Sequence, residues 1–131
     1  MKVTLTKRPA RPSLIRNWIR MEAIRLEEEG YEPKNLEGMR GAIVNELDKR
    51  CGGELERKVV LGWLFGDGNP MSSKILTQYQ LKALLNWIRW TKVENDWFVD
   101  PRYAEEIKAV AKEAIEEFNK KDEEEYEHEE S

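Results

Sequence analysis

LGWLFGDGNPMSSKILTQYQLKALLNWIRW, residues Leu61 to Trp90, is the stretch from which the fold can be read. It joins the end of one apolar helix to the capped start of another through a glycine-rich turn. Thr77 stands where an N-cap belongs, Gln80 is placed to close a capping box, and Leu76 can staple onto Leu81. Beyond that start, Leu81, Leu84, Leu85 and Ile88 fall on one stripe, the face that a small domain buries. Gly66-Asp67-Gly68-Asn69-Pro70 ends the preceding helix, and Ser72 to Leu76 reads as a single helical turn leading into the Thr77 cap.

Working outward, the spacing predicts helices over about 13–29, 35–50, 54–65, 77–90 and 101–120. Ser13 is the expected N-cap of the first and Gly30 its stop, with Leu14, Ile15, Trp18, Ile19, Met21 and Leu26 as the apolar arc. Arg16 and Arg20 are expected on its outer side, and Glu22 and Arg25 are spaced to pair at the margin. Asn35 caps the second helix, which ends near Cys51 before Gly52-Gly53. Leu36, Met39, Ile43 and Leu47 recur there at helical spacing, and Gly38 and Gly41 suggest a close helix approach. Leu55, Val59, Val60, Trp63 and Leu64 make the third helix apolar over a wide arc. Residues 91–99 read as a loop or a short β-hairpin turning at Glu94-Asn95-Asp96. Asp100-Pro101 starts the last helix, whose stripe is Tyr103, Ile107, Val110, Ala111, Ala114 and Phe118. The expectation is an all-α fold: a small single-domain bundle of about five helices.

At 131 residues the chain has the size of one domain. It divides into an extended basic arm at 1–12, a helical domain at 13–121, and an acidic tail at 122–131, either disordered or a frayed helical extension. Lys and Arg number 22 against 26 Asp and Glu, for a net charge of −4, but the signs are segregated. Residues 1–26 hold seven basic side chains against Glu22 alone, while 113–131 hold ten acidic ones against Lys120 and Lys121. Cys51, the single cysteine, excludes an intramolecular disulfide framework and a cysteine-based metal site. No apolar run approaches a membrane span, and the N-terminus lacks the apolar core of a signal peptide, so a cytoplasmic location in a host cell is the expectation.

Leu64-Phe65-Gly66, then Met71-Ser72-Ser73-Lys74-Ile75-Leu76-Thr77, then Gln80, Ala83-Leu84-Leu85 and Trp87 form a pattern with a resemblance. It is similar to a helical module at the ends of phage single-strand annealing and recombination proteins, and to a run in Mu-like phage regulatory proteins. The resemblance covers residues 64–90 and includes no catalytic residue. Asp67 to Pro70 is longer than the turn usual in that module, and the chain has no room upstream for an annealing domain. What the resemblance implies is a setting in phage or mobile-element DNA metabolism, without strand annealing.

Chemistry-bearing residues are few. Asp67, Ser72, Ser73 and Lys74 lack P-loop spacing and a nearby histidine base, so they read as punctuation. His128 stands alone in the acidic tail; no metal site and no cofactor are expected. Without a triad, metal-ligand spacing or paired acids, the expectation is a non-enzymatic protein. Its partner is expected to be DNA or a DNA-handling protein complex, with no membrane contact.

Two candidate nucleic-acid surfaces stand out. Lys7, Arg8, Arg11, Arg16 and Arg20 would clamp phosphates. Tyr79 and Trp90, edged by Lys82, Asn86 and Arg89, would stack bases; the competing reading packs Tyr79 and Trp90 against the last helix or Trp97-Phe98. Of five tryptophans, Trp18 and Trp63 are expected in the core. The alternative function is an acidic inhibitor of a host nucleic-acid enzyme, acting by protein contact through Asp122, Glu123, Glu124, Glu125, Glu127, Glu129 and Glu130.

Overall fold

Two reciprocal hydrogen bonds set the start of the central hairpin: the Thr77 amide donates to Gln80 Oε1 at 2.9 Å and the Gln80 amide donates to Thr77 Oγ1 at 3.1 Å. This is the expected capping box, and it opens helix α4 in a computed structural model of the chain. The structure describes the backbone of residues 11–88, 91–93, 96–98 and 101–130, and the side chains of 11–88 and 105–121. Five α-helices are described: α1 Pro12–Glu28, α2 Leu36–Cys51, α3 Glu54–Phe65, α4 Gln78–Ile88 and α5 Pro101–Glu130. A 3-10 turn at Ser73–Ile75 precedes α4, and β1 (Thr91–Val93) pairs antiparallel with β2 (Asp96–Phe98) between α4 and α5. The fold is an all-α small domain carrying that hairpin.

Each helix end has a local cause. α1 begins at Pro12, two residues earlier than a Ser13 cap would place it, and its N-cap is Arg11 without a side-chain bond. Proline fits that first helical position because the amide it lacks would have no intrahelical partner. At the other end the Tyr31 amide donates to the Leu26 carbonyl and the Gly30 amide to the Glu27 carbonyl, both at 3.0 Å. With Gly30 at φ 74°, this is a Schellman stop. Asn35 Oδ1 accepts from the Gly38 amide at 2.9 Å to cap α2, which ends on left-handed Gly52.

The core gathers Ile15, Ile19 and Leu26 from α1, Ile43 and Leu47 from α2, and Val60, Leu61 and Leu64 from α3. Leu81, Leu84 and Ile88 of α4 and Ile107 and Val110 of α5 complete it; Leu85 is only partly buried. α1 packs most broadly on α4, and α3 on α5.

The close backbone approach lies elsewhere than expected. Gly41 is exposed with open space where a Cβ would stand, and a Cβ on Gly38 would meet only its own cap, Asn35. Gly62 is the close contact: a Cβ there would lie 1.7 Å from the Asn69 carbonyl oxygen. The 66–71 loop folds back along α3, with the Gly66 and Gly68 amides donating to the Gly62 carbonyl and the Met71 amide to the Lys58 carbonyl. In α3 itself Leu55 is exposed, against expectation, and Arg57 is buried. Arg57 Nε donates to Asp48 Oδ1 of α2 at 2.6 Å, which compensates the charge inside the fold.

Candidate interaction surfaces

The wheel of α1 carries two apolar stripes, and only one faces the core. Ile15, Ile19, Ala23 and Leu26 are buried. Leu14, Trp18 and Met21, which the sequence assigns to the same arc, are 58%, 48% and 67% exposed, and Ile24 beside them is 55% exposed. Trp18 is therefore a surface tryptophan, not a core one. Trp63 is in the core as expected. The outer stripe follows from the spacing 14, 18, 21: at 3.6 residues per turn these positions align with one another and away from 15, 19 and 26.

One basic residue behaves in the opposite sense. Arg16 is drawn inward, its guanidinium carbon 4.3 Å from the centre of the Trp63 ring. Arg16 Nε and Trp63 Nε1 are both buried without a hydrogen-bond partner. Arg20 Nε donates to the Leu64 carbonyl at the end of α3, at 2.5 Å. That donor satisfies a helix-terminal carbonyl, and burial together with the charge of Arg16 holds the Arg20 pKa below its ordinary value. Both arginines, expected to project outward as a phosphate clamp, contact α3; Arg16 is partly withdrawn, while the Arg20 side chain stays exposed as expected. Arg11 is exposed; Lys7 and Arg8 lie outside the described residues.

Two residues of the candidate stacking face, Lys82 and Asn86, have contacts within the fold. Lys82 Nζ sits 5.6 Å from the Tyr31 ring centre, and burial lowers its pKa while Glu22 opposes that shift. Asn86 Nδ2 donates to Glu22 Oε2 at 2.8 Å, and Arg25 Nε and Nη2 each donate to the Glu22 carboxylate at 2.9 Å. Arg25 also bonds Glu29. The Glu22–Arg25 pairing is as the sequence suggests, with Asn86 as an unanticipated third member. Tyr79 is half-buried against the core. It lines an open groove of about 340 Å³ together with Gln80 and Phe65, facing Arg20, Ile24 and Glu27 of α1. Arg89 and Trp90 lie outside the described residues.

Asp67, Ser72 and Ser73 are punctuation, as expected. Asp67 Oδ1 accepts from the Asn69 amide at 3.1 Å, Ser72 Oγ accepts from the Lys74 amide at 3.2 Å, and buried Ser73 presents its carbonyl to Arg40. Among the described residues no cluster of His, Cys, Asp and Glu could hold a metal ion, and no helix is long and apolar enough to cross a membrane. The Cys51 thiol is buried and pushed up to about 12, first by burial and then by Asp48. It is an inert core thiol.

α5 continues as helical backbone to Glu130, carrying the acidic residues 122–130 along the same axis; their side chains lie outside the described residues. Just before them, a hydrogen bond with Glu117, then burial, then the charges of Glu117 and Glu116 raise the pKa of Glu113, against the opposing charge of Arg16. Among the described side chains the outer stripe of α1 is exposed and apolar, and α5 carries the acidic run 122–130 on helical backbone. Comparison with protein-family models, with curated proteins and with solved structures finds no match.

Proposed function

We propose that this protein is a non-enzymatic accessory that joins a DNA-handling complex by protein contact through the outer face of α1. The observation that carries this is the exposed run Leu14, Trp18, Met21 and Ile24, together with the packing of Arg16 over the Trp63 ring. A contiguous apolar stripe on an exposed helix face is the usual mark of a contact site. The phage or mobile-element setting, in a host cytoplasm, rests on the resemblance at residues 64–90. DNA contact in this reading belongs to the complex or to the arm that contains Lys7, Arg8 and Arg11, and not to the helical body.

Fluorescence anisotropy with a labelled single strand and a labelled duplex over a salt series tests that division. Replacing Arg16, Arg20 and Lys82 by methionine should leave affinity and salt slope unchanged. A salt slope that flattens by nearly one counterion per lost cation would return those side chains to phosphate binding and overturn the reading.

The helical course of 122–130 favours a second reading, an acidic inhibitor that presents a negatively charged rod to a host nucleic-acid enzyme. Deleting residues 122–131 should then weaken the complex and reduce its salt sensitivity. Unchanged affinity and salt dependence would remove this reading.

A further inference from the structure

The outer face of α1 has more order than a hydrophobic patch needs. Arg11, Leu14, Trp18, Met21, Arg25 and Glu28 follow one another at alternating spacings of three and four, the repeat of a coiled-coil seam. Its centre is apolar and exposed. Its two ends carry opposite charge, Arg11 at the start and Glu28 at the finish, both exposed and without an ion-pair partner among the described residues.

The geometry points to a second copy of this chain as the occupant, with the two α1 helices packed antiparallel about a two-fold axis midway between Ile19 and Arg20. This rests on the reading of that face as a contact surface and adds a second copy as its occupant in the free protein, which the DNA-handling complex would displace. About such an axis Trp18 meets Met21 of the other copy, in both directions, giving a sulfur–aromatic contact at the centre. Leu14 lies against the aliphatic stem of Arg25, whose head stays with Glu22 and Glu29 of its own chain. Arg11 meets Glu28, again twice. The same surface thereby satisfies itself, as a two-fold interface requires.

Charge decides the direction. A parallel pair would set Arg11 on Arg11, Arg25 on Arg25 and Glu28 on Glu28, like charges at three levels of one seam. The antiparallel pair converts the outer two into opposite-charge contacts and also opposes the helix dipoles. A helix of 17 residues is about 25 Å long, short for a stable interface, so the pair should be weak, with a Kd of about 1–100 µM.

Sedimentation velocity on the full chain over about 1–500 µM, a range that brackets that affinity, is the test. The mass should rise from 15.5 kDa toward twice that value, and Trp18→Glu should hold it at the monomer. Arg11→Glu and Glu28→Arg should each weaken the pair at least tenfold, and the double variant R11E/E28R should restore it, because the swapped charges meet again only in the antiparallel register. All these positions are exposed, and circular dichroism checks that each variant folds. A monomer at every concentration, a dimer indifferent to Trp18→Glu, or charge reversals that the double variant fails to rescue would overturn the pairing. None of these results bears on contact with a different protein, which cross-linking from Met21 reads separately by the mass of the adduct.

Discussion

The Arg16 guanidinium lies over the Trp63 ring, 4.3 Å from its centre, where α1 meets α3. Cation and indole are both largely withdrawn from water, so the contact has a stabilising value above that of an exposed pair. Arg16→Ala should lower stability to urea by about 1–3 kcal/mol, through loss of both the cation–π contact and the buried stem. Arg16→Met should recover much of it, because the unpaired Nε would no longer be buried. A variant that keeps full stability but loses affinity for nucleic acid would contradict this role.

Gly62 and Gly41 should respond in opposite directions to the same change. The Asn69 carbonyl against Gly62 belongs to a loop fastened by backbone bonds to α3, so it cannot yield cheaply. Gly62→Ala should cost about 1–3 kcal/mol or more, as overpacking does. Gly41→Ala, in open space on α2, should stabilise by about 0.5–1 kcal/mol. Paired urea titrations check both, and a neutral Gly62→Ala would mean that the loop is not docked.

Glu22 predicts a pH dependence. Its hydrogen bond with Arg25, and after it the one from Asn86, hold its pKa below the ordinary 4.5 against the opposing effect of burial. A carboxylate with a lowered folded pKa contributes stability above its unfolded value, and the contribution is lost as pH falls through the folded value. The stability difference between wild type and Glu22→Gln should therefore be full at pH 7 and shrink on acidification below about 4.5. Urea midpoints measured across that range read it directly; a difference that grows in acid would reverse the sign and refute the assignment.

Helix punctuation was legible from residue types because it is local chemistry. Thr77 with Gln80, Asn35 and Gly30 each act within a few residues of themselves, and each appears in the structure where the sequence puts it. Facing was less legible. Leu14, Trp18 and Met21 form an apolar stripe as regular as Ile15, Ile19 and Leu26, and periodicity alone cannot say which one the other helices cover. Ala23, too small to weigh in an apolar count, sits on the stripe that α1 buries. Long-range polar partners were illegible for the same reason: the Leu64 carbonyl, Trp63 and Asp48 attract Arg20, Arg16 and Arg57 only after the chain has brought them together. The glycine that matters for packing, Gly62, was hidden inside an apolar helix pattern, while Gly38 and Gly41 drew notice by being conspicuous.

The central claim is that the outer face of α1 is where this protein meets its partner. The most direct measurement places a photo-cross-linking residue at Met21, with a control at exposed Lys49 on α2, in the producing cell, followed by nuclease treatment and mass analysis. The account predicts a discrete, nuclease-resistant polypeptide adduct from position 21 that disappears when Trp18→Glu is added and is absent from position 49. No adduct from position 21 above the control, or one that nuclease removes, would contradict it.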